Sequence, residues 1–206
     1  MKVLLINGSP HEKGCTYTAL SLIAGELKAQ GIDTEILHVG GQPVGGCIGC
    51  GGCRSGNGCV FGGVVNEAIE KAKTADAFVF GSPVHYASAA GNMASFMDRL
   101  AYAGGKYLAY KPAAVCCSAR RAGTTSTLDQ LVKYPQFFHM PLVNGSYWAM
   151  VHGSNPEQVL QDAEGCAVMQ DLGRNMAWLL RCIEAGKAAG IDHPQNPPRP
   201  MTSFIR

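Results

Sequence analysis

The sequence predicts a doubly wound α/β sandwich of three layers, with a five-stranded parallel sheet of order 2-1-3-4-5 and helices on both faces. Three observations carry this prediction. Short apolar runs alternate with helical patterns along most of the chain, and parallel neighbours need crossover helices between them. Two of those runs stop in a strand-breaking turn, at Gly8-Ser9-Pro10 and Gly81-Ser82-Pro83. The 206 residues suffice for one core and contain no linker that would divide two. The chain is read as one domain over 1–190 followed by an extended tail over 191–206.

The elements follow in order. Val3 to Ile6 is a continuous apolar run and reads as a buried first strand. Thr16 to Gln30 places Leu20, Ile23, Ala24 and Leu27 at helical spacing, with Gly31 set to end the helix and Thr16 available as its N-cap. Thr34 to Val39 is the second strand, and 40–63 is rich in glycine and cysteine without periodicity. Val64 to Lys73 returns to helix, Ala75 to Gly81 is the third strand, and Asn92 stands where it would cap a helix through Leu100. Pro112 to Cys117 is the fourth strand, Leu128 to Val132 marks a helix, and Pro141 to Tyr147 reads as the fifth strand. Cys166, Met169, Leu172, Met176, Leu179, Leu180 and Ile183 form one apolar stripe of a long last helix, read as core packing. Pro194, Pro197, Pro198 and Pro200 prevent the tail from continuing that helix.

Composition narrows the function classes. A formal net charge of +2, from 17 basic and 15 acidic residues, argues against a nucleic-acid binder that relies on a basic face. The start of the chain lacks a signal-peptide core, and no apolar run approaches the roughly 18 residues of a membrane span. A cytoplasmic protein without membrane or nucleic-acid partners is expected. In a reducing compartment, nine cysteines point to metal ligands, redox groups or buried thiols rather than disulfides.

In this topology ligands bind beyond the carboxyl ends of strands 1 and 3. The turn from Gly8 to Thr18 is small, hydroxyl-rich and leads into a helix, so its backbone N–H groups and the helix dipole suit a phosphate. A plain strand-to-helix connection is the alternative. Neither the Walker spacing nor G-x-G-x-x-G is present, which disfavours nucleoside triphosphates and a dinucleotide fingerprint and leaves a monophosphate. After strand 3 comes Gly81-Ser82-Pro83-Val84-His85-Tyr86, with Phe96-Met97-Asp98-Arg99 downstream.

These motifs, in this order over Met1 to about Gly186, resemble the flavodoxin-like FMN-dependent NAD(P)H oxidoreductases, a family that includes FMN reductases and iron-sulfur flavoproteins. The resemblance implies a flavodoxin-like fold, bound FMN, and NAD(P)H as substrate. It implies that Ser9, His11, Gly14, Cys15, Thr16 and Thr18 surround the FMN phosphate. Ser82, Pro83, Val84, His85 and Tyr86 would lie along the ribityl chain and the ring. Ser118, Ala119, Arg120, Gly123 and Thr124 would wall the other side, with Arg120 and Arg121 either meeting nucleotide phosphates or simply solvated. The chain departs from the family with Cys15 where Asn is frequent and His85 where Tyr is usual. No catalytic acid or base is expected, because flavin carries its own electron sink. Asp98 and Arg99 are read as a structural ion pair on the helix surface or at an interface, and Tyr147-Trp148 as core, interface or cavity lining.

Cys47, Cys50, Cys53 and Cys59 form a C-x2-C-x2-C-x5-C run in a glycine-rich loop. Four thiolates so spaced suit a [4Fe-4S] cluster better than zinc, and the run looks like the compact motif of iron-sulfur flavoproteins. Free or buried thiols are the alternative, since cluster-free relatives keep similar cysteines. Three functions are therefore carried. The first is an NAD(P)H oxidoreductase passing electrons through FMN to a quinone, flavin or other small acceptor. The second is an electron carrier between a [4Fe-4S] cluster, FMN and ferredoxin, and the third a non-catalytic binding protein. A homodimer or homotetramer is expected from the resemblance and from the aromatic content of 86–110.

Overall fold

A computed structural model of the chain describes residues 1–204, so positions 205 and 206 of the predicted tail lie outside the described residues. The elements are β1 (Lys2–Asn7), α1 (Cys15–Ala29), β2 (Asp33–His38), α2 (Val64–Thr74), β3 (Ala77–His85), β4 (Ser88–Ala89), α3 (Gly91–Gly104), β5 (Ala113–Ala119), α4 (Thr124–Phe137), β6 (Met150–His152), α5 (Pro156–Val159) and α6 (Ala163–Ala188). Five strands form a parallel sheet of order β2-β1-β3-β5-β6, the predicted 2-1-3-4-5, and β4 pairs antiparallel with β3 alone. Register aligns the carboxyl ends: Asn7 faces His38 on one side and Gly81 on the other, and Gly81 faces Cys116.

Alternation along each strand divides the core in two. Val3, Leu5 and Val79 pack with Leu20, Ile23, Met169 and Met176 from α1 and α6. Leu4, Ile6, Phe78 and Phe80 pack with Ile69, Met93, Phe96 and Leu131 from α2, α3 and α4. Each such fully buried side chain contributes about 1.5–3 kcal/mol. α1 and α6 meet closely because Gly173 has no side chain: a Cβ there would lie 2.8 Å from the Glu26 Cβ and 2.9 Å from the Ile23 carbonyl oxygen.

Four local expectations are corrected. The fifth strand is Met150–His152 rather than Pro141 to Tyr147. The earlier segment makes only a bridge from Leu142 to Ala113, with the Val143 N–H donating to the Ala113 carbonyl at 2.8 Å, before 144–148 leaves the sheet edge. β3 runs past Gly81 to His85, because the Ser82-Pro83 pair keeps its pairing to Cys117 and Ser118. It then turns back through Tyr86 and Ala87, both in the left-handed region at φ 50° and 58°, the backbone of a tight hairpin. Asn92 lies inside α3 rather than capping it: its Oδ1 accepts from the Val44 N–H and its Nδ2 donates to the Gly40 and Gln42 carbonyls. Gly14, not Thr16, is the N-cap of α1.

The last helix buries Met169, Leu172, Met176 and Leu180 of its predicted stripe and leaves Cys166, Leu179 and Ile183 half-buried, and Asp162 caps it by accepting from the Gly165 N–H at 3.0 Å. Residues 191–204 carry no helix or strand. Among the described residues no helix is long and apolar enough to cross a membrane.

Candidate functional site

Asn7 ends β1 fully buried, and its side chain shapes the turn that follows. Its Oδ1 accepts from the Ser9 N–H at 3.1 Å and its Nδ2 donates to the Glu12 carbonyl at 2.9 Å. The Ser9 Oγ accepts from the His11 N–H at 3.1 Å. The turn delivers the chain to Gly14 and the start of α1, which has no side-chain cap. The leading N–H groups of that helix and its positive dipole end therefore face the space above the sheet, the arrangement that attracts an anion.

The first turn of α1 is joined directly to the end of β5, with Thr16 Oγ1 and Ser118 Oγ 2.8 Å apart and both residues buried. The turn after β5 is held by His152, whose Nε2 lies 3.1 Å from the Arg121 carbonyl and donates to it. The hairpin after β3 closes the third side. It rests on Gly123, where a Cβ would lie 2.7 Å from the Ala87 Cα, and the Ser126 hydroxyl donates to the Ala87 carbonyl.

These turns and the strand ends that lead into them border an open cavity of about 140 Å³. The turn after β1 and the start of α1 contribute Ser9, His11, Cys15 and Thr16, the end of β3 Pro83, Val84 and His85, and the end of β5 with the residue after it Ser118, Ala119 and Arg120. Gly153, which sequence reasoning missed, completes the lining, and its carbonyl accepts from the Cys15 thiol at 3.5 Å. Burial, with a smaller contribution from Glu157, raises the Cys15 thiol above its ordinary range and keeps it protonated at neutral pH. The remaining predicted residues do not line the cavity. Gly14 caps α1 and the Thr18 hydroxyl donates back to the Gly14 carbonyl. Ser82 is buried, its Oγ donating to the Pro83 carbonyl and accepting from the Ala90 N–H. Tyr86 is fully exposed at the hairpin tip. Gly123 and Thr124 begin α4, and the Thr124 carbonyl accepts from the buried Cys117 thiol. A larger cavity of about 860 Å³ lies at the opposite end of the strands, around Met1, Tyr110, Lys111 and Ile183. Size does not make it the site: none of the three turns and no helix N-terminus reaches it.

Cys47 and Cys50 are exposed, and Cys53 and Cys59 are half-buried. Among the described residues no three His, Cys, Asp or Glu side chains gather as a metal site. The four thiols match a cluster in number and spacing, but as they stand they do not form a closed ligand set. Arg99 corrects the expected pair with Asp98. Asp98 accepts instead from the Tyr134 hydroxyl at 2.6 Å, and burial together with that carboxylate holds the phenol protonated. Arg99 is 6% exposed and turns toward the cysteine loop. Its Nε donates to the Cys59 Sγ at 3.2 Å, Nη1 to the Gly45 carbonyl and Nη2 to the Gly62 carbonyl.

Comparison with known proteins agrees with this architecture. The family model for NADPH-dependent FMN reductase matches residues 1–155. An iron-sulfur flavoprotein of Methanocaldococcus jannaschii is 27% identical over 192 residues, covering 89% of this chain and all of the relative. Among solved structures, RosB with the bound intermediate 8-demethyl-8-formylriboflavin-5'-phosphate aligns with a TM-score of 0.70 at 14% identity, over the whole of this chain and 94% of that one. The apo form of the NADH:FMN oxidoreductase EMOB aligns at 0.65 with 15% identity, over 86% of this chain and 89% of that one. At such identities the two structures speak to the fold, which is flavodoxin-like. With its three switch-point turns in place and the family model spanning three quarters of its length, the chain belongs to the NADPH-dependent FMN reductase family.

Proposed function

We propose that the protein is an FMN-dependent oxidoreductase that takes electrons from NAD(P)H and passes them to a quinone, a flavin or another small acceptor. The observation that carries this reading is the convergence of the turns after β1, β3 and β5 on one cavity at an uncapped helix N-terminus. Bound FMN would supply the hydride-accepting ring. The chain's own part is placement. The leading N–H groups of α1, with Ser9 and Thr16, take the phosphate. Pro83, Val84 and His85 run beside the ring, and Ala119 and Arg120 form the opposite wall. Arg120 lines the cavity and is exposed, as is its neighbour Arg121, and guanidinium groups suit the phosphates of a nicotinamide nucleotide.

Three further elements of the reading are a cytoplasmic location, assembly as a homodimer or homotetramer, and the absence of nucleic-acid and membrane partners. The test is direct: purified protein should release FMN on denaturation, in a ratio of about one per chain, and oxidise NADH or NADPH when a quinone is added. Protein that neither releases nor binds FMN at micromolar concentration rejects it.

The cysteine spacing and the Methanocaldococcus jannaschii relative favour a second reading, an electron carrier joining a [4Fe-4S] cluster, FMN and ferredoxin. Binding a cluster would need the four thiols to draw together, since among the described residues they do not gather as a metal site. Anaerobic reconstitution with iron and sulfide separates the two: acid-labile sulfide with broad absorbance beneath the flavin bands supports the carrier, and their lack leaves the oxidoreductase.

A further inference from the structure

The end of β2 and the first residues of the cysteine-bearing segment are built into the turn after β1. The His38 Nε2 lies 2.8 Å from the Ser9 carbonyl oxygen. A carbonyl only accepts, so Nε2 carries the proton and donates. Two glycines make this contact possible. A Cβ at Gly40 would sit 2.2 Å from the Ser9 oxygen, and a Cβ at Gly41 would sit 2.6 Å from the His38 Cε1. The Val39 and Gly40 N–H groups donate to the Asn7 carbonyl at 2.9 and 3.3 Å, and Asn92 holds the Gly40 carbonyl from the other side.

Ser9 is thereby gripped at three points. Its N–H donates to Asn7 Oδ1, its carbonyl accepts from His38, and its Oγ accepts from the His11 N–H. Asn7 is wholly buried and Ser9 is 4% exposed, so neither can exchange these bonds freely for water. The imidazole also stands on a different strand from the turn it supports.

We propose that His38 is a positioning residue for flavin binding: by holding the Ser9 carbonyl it fixes the turn that receives the phosphate, without touching the cofactor. This rests on the FMN reading above and adds to it a residue outside the three cavity-lining turns. The consequence is selective. Loss of the grip should weaken binding of a flavin that carries the phosphate and leave a flavin without it little affected.

The test compares FMN with riboflavin by flavin-fluorescence titration of the full-length apoprotein. The wild type should prefer FMN, and His38→Phe should weaken FMN binding by about 5- to 10-fold, the scale of one lost hydrogen bond to a buried group. Riboflavin affinity should stay within about twofold. His38→Gln retains an N–H donor and should restore much of the FMN preference. If His38→Phe fails to fold, His38→Met carries the same comparison. Unchanged FMN preference in the donor-less variant, equal loss of both flavins, or no rescue by glutamine overturns the proposal while leaving the FMN reading intact. A wild type that binds neither flavin overturns both.

Discussion

The side chains of the site divide by where their hydrogen bonds go, and this gives contrasting substitutions. The Thr16 hydroxyl lies in the cavity wall with Ser118, whereas the Thr18 hydroxyl is spent on the Gly14 carbonyl one turn below. Thr16→Val should weaken FMN binding about 5- to 10-fold, and Thr18→Val should leave it within experimental error, as read by fluorescence titration. The cysteines divide in a similar way. Burial pushes the Cys117 thiol up to about 12, and raises that of its fully buried neighbour Cys116 still further. Alkylation with iodoacetamide at pH 8, followed by peptide mapping, should label the exposed Cys47, Cys50 and Cys182 and spare Cys116 and Cys117 until the protein is unfolded.

At the level of elements, β2 is an edge strand tied to its neighbours by charge. Glu35 accepts from Lys2 of β1 and Lys71 of α2, both at 2.6 Å, and these contacts lower its carboxyl below the ordinary value. A carboxyl lowered in the folded state adds stability above its unfolded pKa, and that stability is lost as pH falls through the folded value. Urea midpoints between pH 6 and 3 should therefore fall more steeply for the wild type than for Glu35→Gln.

Legibility followed the same element-by-element logic. The turn after β1 was legible because Gly8-Ser9-Pro10 follows directly on the end of the strand, whereas the same signal at Gly81-Ser82-Pro83 misled, since a ladder can carry Ser82 and Pro83 on to His85; the apolar spacing of α1 and α6 survives largely as burial. β4 was invisible, because two residues have no periodicity and its turn uses Tyr86 and Ala87 where glycine or asparagine would be the signal. β6 was displaced because an apolar run at 141–143 touches the sheet at one point and then departs, while the pairing resumes at Met150. Asn7, His38 and Arg99 were missed in their actual roles because each reaches a partner made adjacent only by the sheet or a crossover. Asn7 alone had a local signal, a polar residue closing an apolar strand beside a turn.

For the whole molecule, the cavity lies at the carboxyl ends of the strands, and none of its lining residues is a buried member of either apolar layer. Ligand binding should then add stability by mass action without altering the fold. At FMN concentrations 100 times Kd the gain is about 2.7 kcal/mol, a rise of about 5–10 °C in Tm for a domain of this size. Differential scanning fluorimetry in the presence of FMN, with riboflavin as the comparison, measures it.

The Arg99 guanidinium binds the Gly45 carbonyl, the Cys59 sulfur and the Gly62 carbonyl, closing the neck of the cysteine loop. Between these anchors residues 54–57 are exposed, and a break in the chain there should leave the rest of the molecule folded. Arg54 is one of them, so brief trypsin treatment should nick the chain there. The segment before the nick carries β1, which is paired on one side with β2 and on the other with β3 of the second piece. The nicked protein should run as two bands on a denaturing gel and still elute as one particle at the position of the intact chain. A loop of different length and ligand chemistry, grafted between the same two carbonyls, would meet an unchanged scaffold.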